Sequence, residues 1–251
     1  MNANIKYINL GKKESDTDYW VADVNDIKMQ EIADALGMKL NTVVSDSEWY
    51  LYRGSDNFNT TGIRFLLSST TLQIMTYVKG VRVNNSNLMT QVNISLQKSA
   101  ADSGAMVARL YYAKGKDDAI IFGISSTNNS ECLGFIISSA KQIGSDIEKT
   151  IYISTNPSSS NGTISAYFED SDNAIAIATA WTVVSDSFVM LLPASIPGAN
   201  MILNNLYIPY CLKNMSGQHW SFAMNSQQYI VSNYYAQGAN AVVMALPSDM
   251  E

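Results

Sequence analysis

The stretch "AIIFGI" (Ala119–Ile124) decides how this chain is expected to fold, because it carries no polar side chain. "LGFII" (Leu133–Ile137) follows it after a short polar segment. Apolar runs of roughly four to eight residues are typical of strands that are covered on both faces of a sheet. "FVMLL" (Phe188–Leu192) and "AVVMAL" (Ala241–Leu246) have the same pattern. We therefore predict that these segments form central strands.

Other segments alternate apolar and polar residues with the period of a half-buried strand. "QVNISLQ" (Gln91–Gln97) places Val92, Ile94 and Leu96 on one face, and "TISAYF" (Thr163–Phe168) is similar. Clusters of Gly, Asn, Ser and Asp separate the strands at short intervals, which is typical of all-β sandwiches and barrels. The predicted fold is mainly β, with an antiparallel sandwich or barrel-like body and one N-terminal amphipathic helix.

The predicted helix lies in "NDIKMQEIADALG" (Asn25–Gly37). Its apolar residues recur at i, i+3, i+4 and i+7, which is the spacing of one helix face. They are Met29, Ile32, Ala33 and Leu36. Asn25 or Asp26 is suited to cap the first turn, and Gly37 is suited to end the helix with a positive φ. We expect the apolar face to pack against a sheet.

Domain boundaries are weakly marked in the sequence. Residues 1–40 are interpreted as an N-terminal strand-plus-helix element, and residues 41–251 as one β-rich body. Two small, polar segments are candidates for a subdivision of that body, residues 98–105 ("KSAADSGA") and residues 138–146 ("SSAKQIGSD"). Neither resembles a long flexible linker.

The charge balance excludes some classes of partner. The chain of 251 residues has a net charge of −6, and 15% of its residues are charged, against about a quarter in ordinary domains. Because no cluster of Lys or Arg offsets the acidity, we predict no direct nucleic-acid partner. No apolar run is long enough for a signal peptide or a membrane span, so synthesis in the cytoplasm and no membrane partner are predicted.

The hexapeptide "TVVSDS" occurs twice, at Thr42–Ser47 and at Thr182–Ser187. The flanking sequences do not align, which argues against duplication of a whole domain. Ser and Asp side chains bond nearby backbone amides and so favour turns. We predict that both copies form strand-to-strand turns, in which Asp46 and Asp186 accept hydrogen bonds from local backbone N–H groups.

The sequence contains no complete catalytic or metal-binding motif. His219 is the only histidine, so a hydrolase is conceivable only around it, with Cys211 as a nearby nucleophile. We favour a histidine satisfied by local hydrogen bonds. Cys132 and Cys211 are interpreted as buried free thiols, with one disulfide as the alternative. "EDSDN" (Glu169–Asn173) lacks the glycine and the final glutamate of a calcium loop. We predict no catalytic residue, no metal site and no cofactor.

Two short matches to penicillin-recognising enzymes are rejected. "SSAK" (Ser138–Lys141) and "SDN" (Ser171–Asn173) match two of the three motifs of those enzymes, but no K-T-G follows. Their S-x-x-K begins a core helix, whereas strands are predicted around Ser138 here.

Clustered aromatic residues give the one ligand-binding hypothesis. Exposed Trp and Tyr beside Asn and Gln are typical of a glycan-binding groove, and the candidates are Trp49, Tyr52, Trp220 and Tyr234. Strand alternation puts Trp49 and Tyr50 on opposite faces, so at least one of them is expected in the core. The alternative for all of these rings is packing in the core or in an assembly contact.

The C-terminal half resembles a known group of proteins. "LYIPYCLKNMSGQHWSFAMNSQQYIVSN" (Leu206–Asn233) contains a Y-x-P strand, a short loop and an F-x-M-N-x-x-x-Y hairpin. "DAIIFGISSTNNSECLGFIIS" (Asp118–Ser138) has a similar character. Both resemble segments of structural proteins encoded by tailed bacteriophages and prophages. The resemblance implies a virion component of the tail, baseplate, neck or capsid surface that acts by symmetric self-assembly.

The function predicted from the sequence is therefore a non-enzymatic structural component of a bacteriophage particle. Its expected partners are further copies of the chain and other virion proteins. Its expected location is the virion, after synthesis in the host cytoplasm without a signal peptide. The alternative is a glycan- or receptor-binding β-module that contacts a host-surface glycan.

Overall fold

A computed structural model gives the fold of this chain. It describes residues 5–13, 20–41, 47–54, 61–69, 71–78, 81–82, 92–95, 108–125, 135–155, 164–171, 175, 190–210, 220–232 and 244–247. The described residues form strands, one α-helix, α1 (Asp26–Leu36), and one short 3-10 helix (Pro197–Ala199). The strands are β1 (Lys6–Asn9), β2 (Gly11–Lys13), β3 (Trp20–Ala22), β4 (Lys39–Asn41), β5 (Glu48–Tyr52), β6 (Gly62–Ser68), β7 (Thr71–Val78), β8 (Val81–Arg82), β9 (Val92–Ser95), β10 (Arg109–Lys114), β11 (Ile120–Ser125), β12 (Phe135–Gln142), β13 (Glu148–Thr155), β14 (Ile164–Phe168), β15 (Met190–Ile196), β16 (Met201–Tyr210), β17 (Trp220–Met224), β18 (Gln227–Ser232) and β19 (Met244–Pro247).

Helix α1 is the predicted amphipathic helix. The four residues of its predicted apolar face, Met29, Ile32, Ala33 and Leu36, are all buried. Asn25 is the N-cap, and its side chain accepts a hydrogen bond of 2.9 Å from the backbone N–H of Lys28. Gly37 follows the helix with a φ of 60°, so both predicted ends are confirmed. No helix of the described residues is long and apolar enough to cross a membrane.

An eleven-stranded antiparallel sheet forms the body of the described protein. Its main path is β1-β10-β11-β12-β16-β19-β18-β17, with β13, β14 and β15 as branches. The sheet forks at β12. One edge of β12 pairs with β13, while its other edge pairs first with β11, through Phe135–Ile137, and then with β16, through Ala140–Gln142. Ser138 and Ser139 lie between these two partners and pair with neither of them.

A six-stranded antiparallel sheet and a two-stranded one accompany the body. The six-stranded sheet has the order β4-β5-β6-β7-β8, and β9 pairs with β7. Strands β2 and β3 form the small sheet. Together with α1, the six-stranded sheet covers one face of the large sheet, since one core cluster contains buried residues of all three.

The apolar stretch Ala119–Ile124 contributes to β11, and successive residues of this strand pack on opposite faces. Phe122 belongs to the core beneath α1 and the six-stranded sheet, where it stacks on Phe135 with ring centroids 5.1 Å apart. Ile121 belongs to a second core, built by β10 to β16 of the large sheet itself. Covering on both faces, as predicted for this strand, is therefore confirmed.

The predicted fold class is confirmed. The described residues are mainly β, with antiparallel sheets and a single α-helix, and the sheets stack in layers without closing into a barrel. The apolar runs predicted as central strands contribute to β11, β12, β15 and β19. Among the described strands, β15 pairs only with β16, so it is an edge strand rather than a central one.

The N-terminal segment contributes to both large layers. Strand β1 pairs with β10 of the eleven-stranded sheet, and β4 pairs with β5 of the six-stranded sheet. Residues 138–142 belong to β12, and residues 143–147 connect it to β13. Residues 98–105 lie outside the described part of the chain. The division into domains stays a prediction.

Candidate functional site

A polar cleft opens at the fork of the large sheet. Its volume is about 500 Å³. We call it the fork cleft and define it by five charged residues and three hydroxyl residues that line it: Arg53, Lys114, Asp117, Asp118 and Glu148, with Ser138, Ser139 and Thr150. The C-terminal end of α1, at Leu36 and Gly37, closes one side.

Two polar pairs create this cleft by interrupting strands that are otherwise largely apolar. Ser138 and Ser139 interrupt β12, and Asn204 and Asn205 interrupt β16. The Ser138 hydroxyl donates a hydrogen bond of 2.9 Å to the Asn204 carbonyl. The Asn204 amide donates to the Ser139 hydroxyl at 2.9 Å and to the Glu148 carboxylate at 2.8 Å. The polar pairs therefore bond each other where the ladder is interrupted.

Asn205 marks a bend in β16. It has a left-handed φ of 54°, and nearby the pairing of β15 with β16 shifts register between Pro193 and Ser195. Irregularities of this kind re-aim side chains and are frequent beside functional sites. Here the Asn205 amide donates to the carboxylate of Asp117.

A tight turn between β10 and β11 supplies two of the carboxylates. Asp117 and Asp118 have φ values of 53° and 57°, and the Ala119 N–H donates to the Lys116 carbonyl at 3.1 Å. Two successive left-handed residues define a type I′ hairpin turn. Because this turn fixes the backbone, it fixes where both carboxylates enter the fork cleft.

Arg53 enters the fork cleft from the end of β5. Its backbone N–H donates to the Tyr152 hydroxyl at 2.7 Å, and its guanidinium donates to the Leu36 carbonyl at 3.2 Å. Burial lowers the pKa of Arg53, while the nearby Tyr152 and Asp118 act in the opposite direction. Burial also raises the pKa of Tyr152, whose hydroxyl stays protonated as an acceptor for the Arg53 backbone.

Trp49 and Tyr52 do not offer the exposed ring faces that the predicted glycan-binding groove requires. The Trp49 side chain is 0% exposed, and Tyr52 is also buried, because both faces of β5 are covered. A buried ring has no free face for a sugar to stack on. Trp220 begins β17 at one end of the large sheet, and its side chain is outside the described part of the structure. Tyr234 lies outside the described residues.

Several other predicted features also fall on undescribed positions. These are His219, Cys132, Cys211, Asp46 and Asp186, together with residues 42–46 of the first "TVVSDS" copy and all of the second copy. The predictions about them stay predictions. Ser138 lies in a strand rather than at the start of a helix, as the rejection of the S-x-x-K match requires. Within the described residues, no group of three or more His, Cys, Asp or Glu side chains could hold a metal ion.

A second feature lies at the β12–β13 turn. Ile143, Ile147 and Ile202 are 53%, 51% and 39% exposed, and they are three of the five large hydrophobic residues exposed in the described part of the chain. Ile143 and Ile202 line one open groove of about 550 Å³. The Ile143 N–H donates to the Asn200 carbonyl at 3.0 Å, which fixes the turn against the start of β16. We call these three isoleucines the apolar tip.

Comparison of this chain with family models, with curated proteins and with solved structures gives no match. The fork cleft and the apolar tip are therefore the features on which a function can be based. Sequence reasoning missed both. The available signal for the cleft was the occurrence of two polar pairs, Ser138–Ser139 and Asn204–Asn205, inside apolar strands.

Proposed function

We propose that this protein is a non-enzymatic structural component of a bacteriophage particle that acts by assembling with further copies of itself. The observation that carries the proposal is the apolar tip. The resemblance of residues 206–233 to phage structural proteins supports the phage context, and the low charge of the chain is in keeping with dense assembly.

Single exposed apolar residues are ordinary on protein surfaces, but grouped ones mark contact sites. In the apolar tip, Ile143 and Ile147 belong to one short turn, and Ile202 faces the same groove as Ile143. The turn is held by hydrogen bonds from Gln142 N–H to the Ile147 carbonyl and from Ser145 N–H to the Gln142 carbonyl. A fixed apolar surface loses little conformational entropy when it binds a partner.

A second copy of the chain is the partner that the charges of the apolar tip favour. Lys141 and Asp146 flank the isoleucines, with 3.7 Å between the ammonium nitrogen and a carboxylate oxygen, and both side chains are exposed. In a twofold contact the same surface meets itself. Such a contact can place each Lys141 against the partner's carboxylate, so that the charged rim is complementary to its own copy.

The phage context is tested on particles rather than on the isolated chain. Particles from a host that carries the gene are purified by density gradient, and the chain is sought by mass spectrometry and by immunogold electron microscopy. We expect the protein at a fixed copy number, on a defined part of the particle. Absence from intact particles, with the chain left in the soluble fraction, would contradict the phage assignment.

The alternative, a glycan- or receptor-binding module, now has fewer candidate residues. With Trp49 and Tyr52 buried, it rests on Trp220 and Tyr234. No described contact favours it over assembly.

A further inference from the structure

The charged groups of the fork cleft are not neutralised by one another. Among the described residues, neither Arg53 nor Lys114 forms an ion pair with any of the three carboxylates of the cleft. Asp117 and Glu148 are instead bonded by the side-chain amides of Asn205 and Asn204, which carry no charge. Lys114, Asp117, Asp118 and Glu148 are exposed, whereas Arg53 is half-buried. A half-buried charge normally has a partner of opposite sign. The fork cleft thus presents both signs of charge without direct compensation.

The guanidinium of Arg53 is the clearest example of a charged group in the fork cleft that forms no ion pair. Its one hydrogen bond within the described structure goes to the Leu36 carbonyl, although a guanidinium has five N–H donors. Asp118 lies close enough to favour the charged form of Arg53, yet it makes no ion pair with it. Arg53 therefore lines the cavity with N–H donors that have no acceptor in the described structure. The planar guanidinium matches a carboxylate in geometry.

The lining of the cleft is also held in place. The Arg53 backbone is fixed by the Tyr152 hydroxyl, and the backbone of the two aspartates is fixed by a type I′ turn. The carboxylates of Asp117 and Glu148 accept hydrogen bonds from the Asn205 and Asn204 amides. A site whose polar groups are already positioned binds a small ligand without a large ordering cost. A volume of about 500 Å³ lies within the range of small-molecule pockets, about 300–1,000 Å³.

We infer that the fork cleft binds a small zwitterion of the amino-acid class, whose carboxylate contacts Arg53 and whose ammonium group contacts Asp118. A simple anion fits less well, because three carboxylates and two cations line the cavity. A simple cation leaves the donors of Arg53 unused. A zwitterion provides an opposite charge for both the cations and the carboxylates of the cleft. The hydroxyls of Ser139 and Thr150 offer neutral hydrogen-bonding groups beside it.

The inference is tested by calorimetric titration of the purified chain with each free L-amino acid. Acetate and methylammonium, which each carry one of the two charges, and neutral monosaccharides serve as comparison ligands. We expect saturable binding of at least one amino acid, and binding at least tenfold weaker for acetate and methylammonium. Binding of acetate or a sugar as tight as that of any amino acid would overturn the inference, and so would the absence of amino-acid binding.

Two variants locate the binding in the fork cleft. Arg53→Gln and Asp118→Asn should each weaken the binding at least tenfold. Because asparagine tolerates a left-handed φ, Asp118→Asn preserves the turn, and it serves as the test if Arg53→Gln does not fold. Lys116→Gln, in the same turn but outside the lining, is the matched control and should bind normally. Unchanged binding in a folded Asp118→Asn variant would refute the assignment. Since the apolar tip is untouched by these changes, their outcome is independent of the assembly proposal.

Discussion

Trp49 donates its indole N–H to the carboxylate of Asp26 across 2.7 Å, and this bond ties the six-stranded sheet to the first turn of α1. The Trp49 ring is fully buried in the core that joins α1 to both large sheets. A carboxylate in the first turn also interacts favourably with the positive end of the helix dipole. Trp49, which was a candidate sugar-binding residue in the sequence, is thus a structural anchor of the fold.

Trp49→Phe should destabilise the fold. The change removes the donor and part of the ring, and a hydrogen bond to a charged group contributes about 1.5–3 kcal/mol. Denaturant unfolding measures the loss, and a double-mutant cycle with Asp26→Ala, which removes the acceptor, isolates the coupling, for which we expect about 1 kcal/mol or more. Asp34→Asn is the control, because Asp34 accepts an exposed bond from Gln30 that is worth only about 0.2–0.5 kcal/mol. Equal losses for Trp49→Phe and Asp34→Asn would contradict the anchor role.

Gly37→Ala should cost about 1 kcal/mol of unfolding free energy because of its left-handed backbone. A Cβ there would meet only the Arg53 guanidinium at 3.8 Å, which is an ordinary contact, so the cost comes from the φ of 60°. Gly37→Asn should lose less, since asparagine tolerates this conformation. Gly198→Ala is the matched control, because Gly198 has open space around it. Thermal unfolding of the three variants gives the order, and a neutral Gly37→Ala would show that the helix end is not held as described.

Stability should fall at alkaline pH. Burial, followed by the hydrogen bond to Glu48, raises the pKa of Tyr50 from 10.0 to about 12. The folded state then keeps the phenol proton that the unfolded chain loses, so the stabilisation is complete below pH 10 and decreases as the pH rises toward 12. Burial also raises the pKa of Tyr167, in the same direction.

Denaturant unfolding on both sides of pH 10 measures this decrease. Tyr50→Phe should make it shallower, and Tyr7→Phe, at a half-exposed ring, controls for the loss of a hydroxyl. An unfolding free energy of the wild-type chain that does not change across this window would contradict the prediction.

Exchanging the charges at the rim of the apolar tip should change the strength of self-association. Lys141→Asp should weaken self-association, since it places like charges opposite each other in a twofold contact. The double exchange of Lys141→Asp with Asp146→Lys should restore much of it, because the complementarity is then reversed but intact. Dissociation constants from concentration series give the comparison. If the double exchange associates no better than Lys141→Asp alone, the twofold arrangement is wrong.

The sequence predicts well those features that depend on residues close together in the chain. The spacing of Met29, Ile32 and Leu36 and the caps of α1 can be read from neighbouring residues, as can the apolar run that forms β11. The fork cleft cannot, because it depends on β16, which meets β12 from a distant part of the chain. Ser138 and Asn204 are 66 residues apart, and only the pairing of β16 with β12 brings them together.

The burial of Trp49 could not be predicted from the sequence, for a related reason. Alternation along β5 shows that Trp49 and Tyr50 face opposite sides, but it does not show which sides are covered. Both sides are covered: Trp49 packs in the core with the helix and the large sheet, and Tyr50 is buried on the opposite face. The apolar tip was missed because residues 138–146 looked like a small, polar connection.

Sedimentation equilibrium of the purified chain over a range of concentrations measures assembly through the apolar tip. We predict that the wild-type chain self-associates and that the double variant Ile143→Asp, Ile202→Asp is monomeric with its fold intact. Ile27→Asp, which changes an isolated isoleucine that is 84% exposed on α1, should associate like the wild type. A wild-type chain that stays monomeric at every concentration would show that the apolar tip does not mediate assembly, and so would a double variant that associates as strongly as Ile27→Asp.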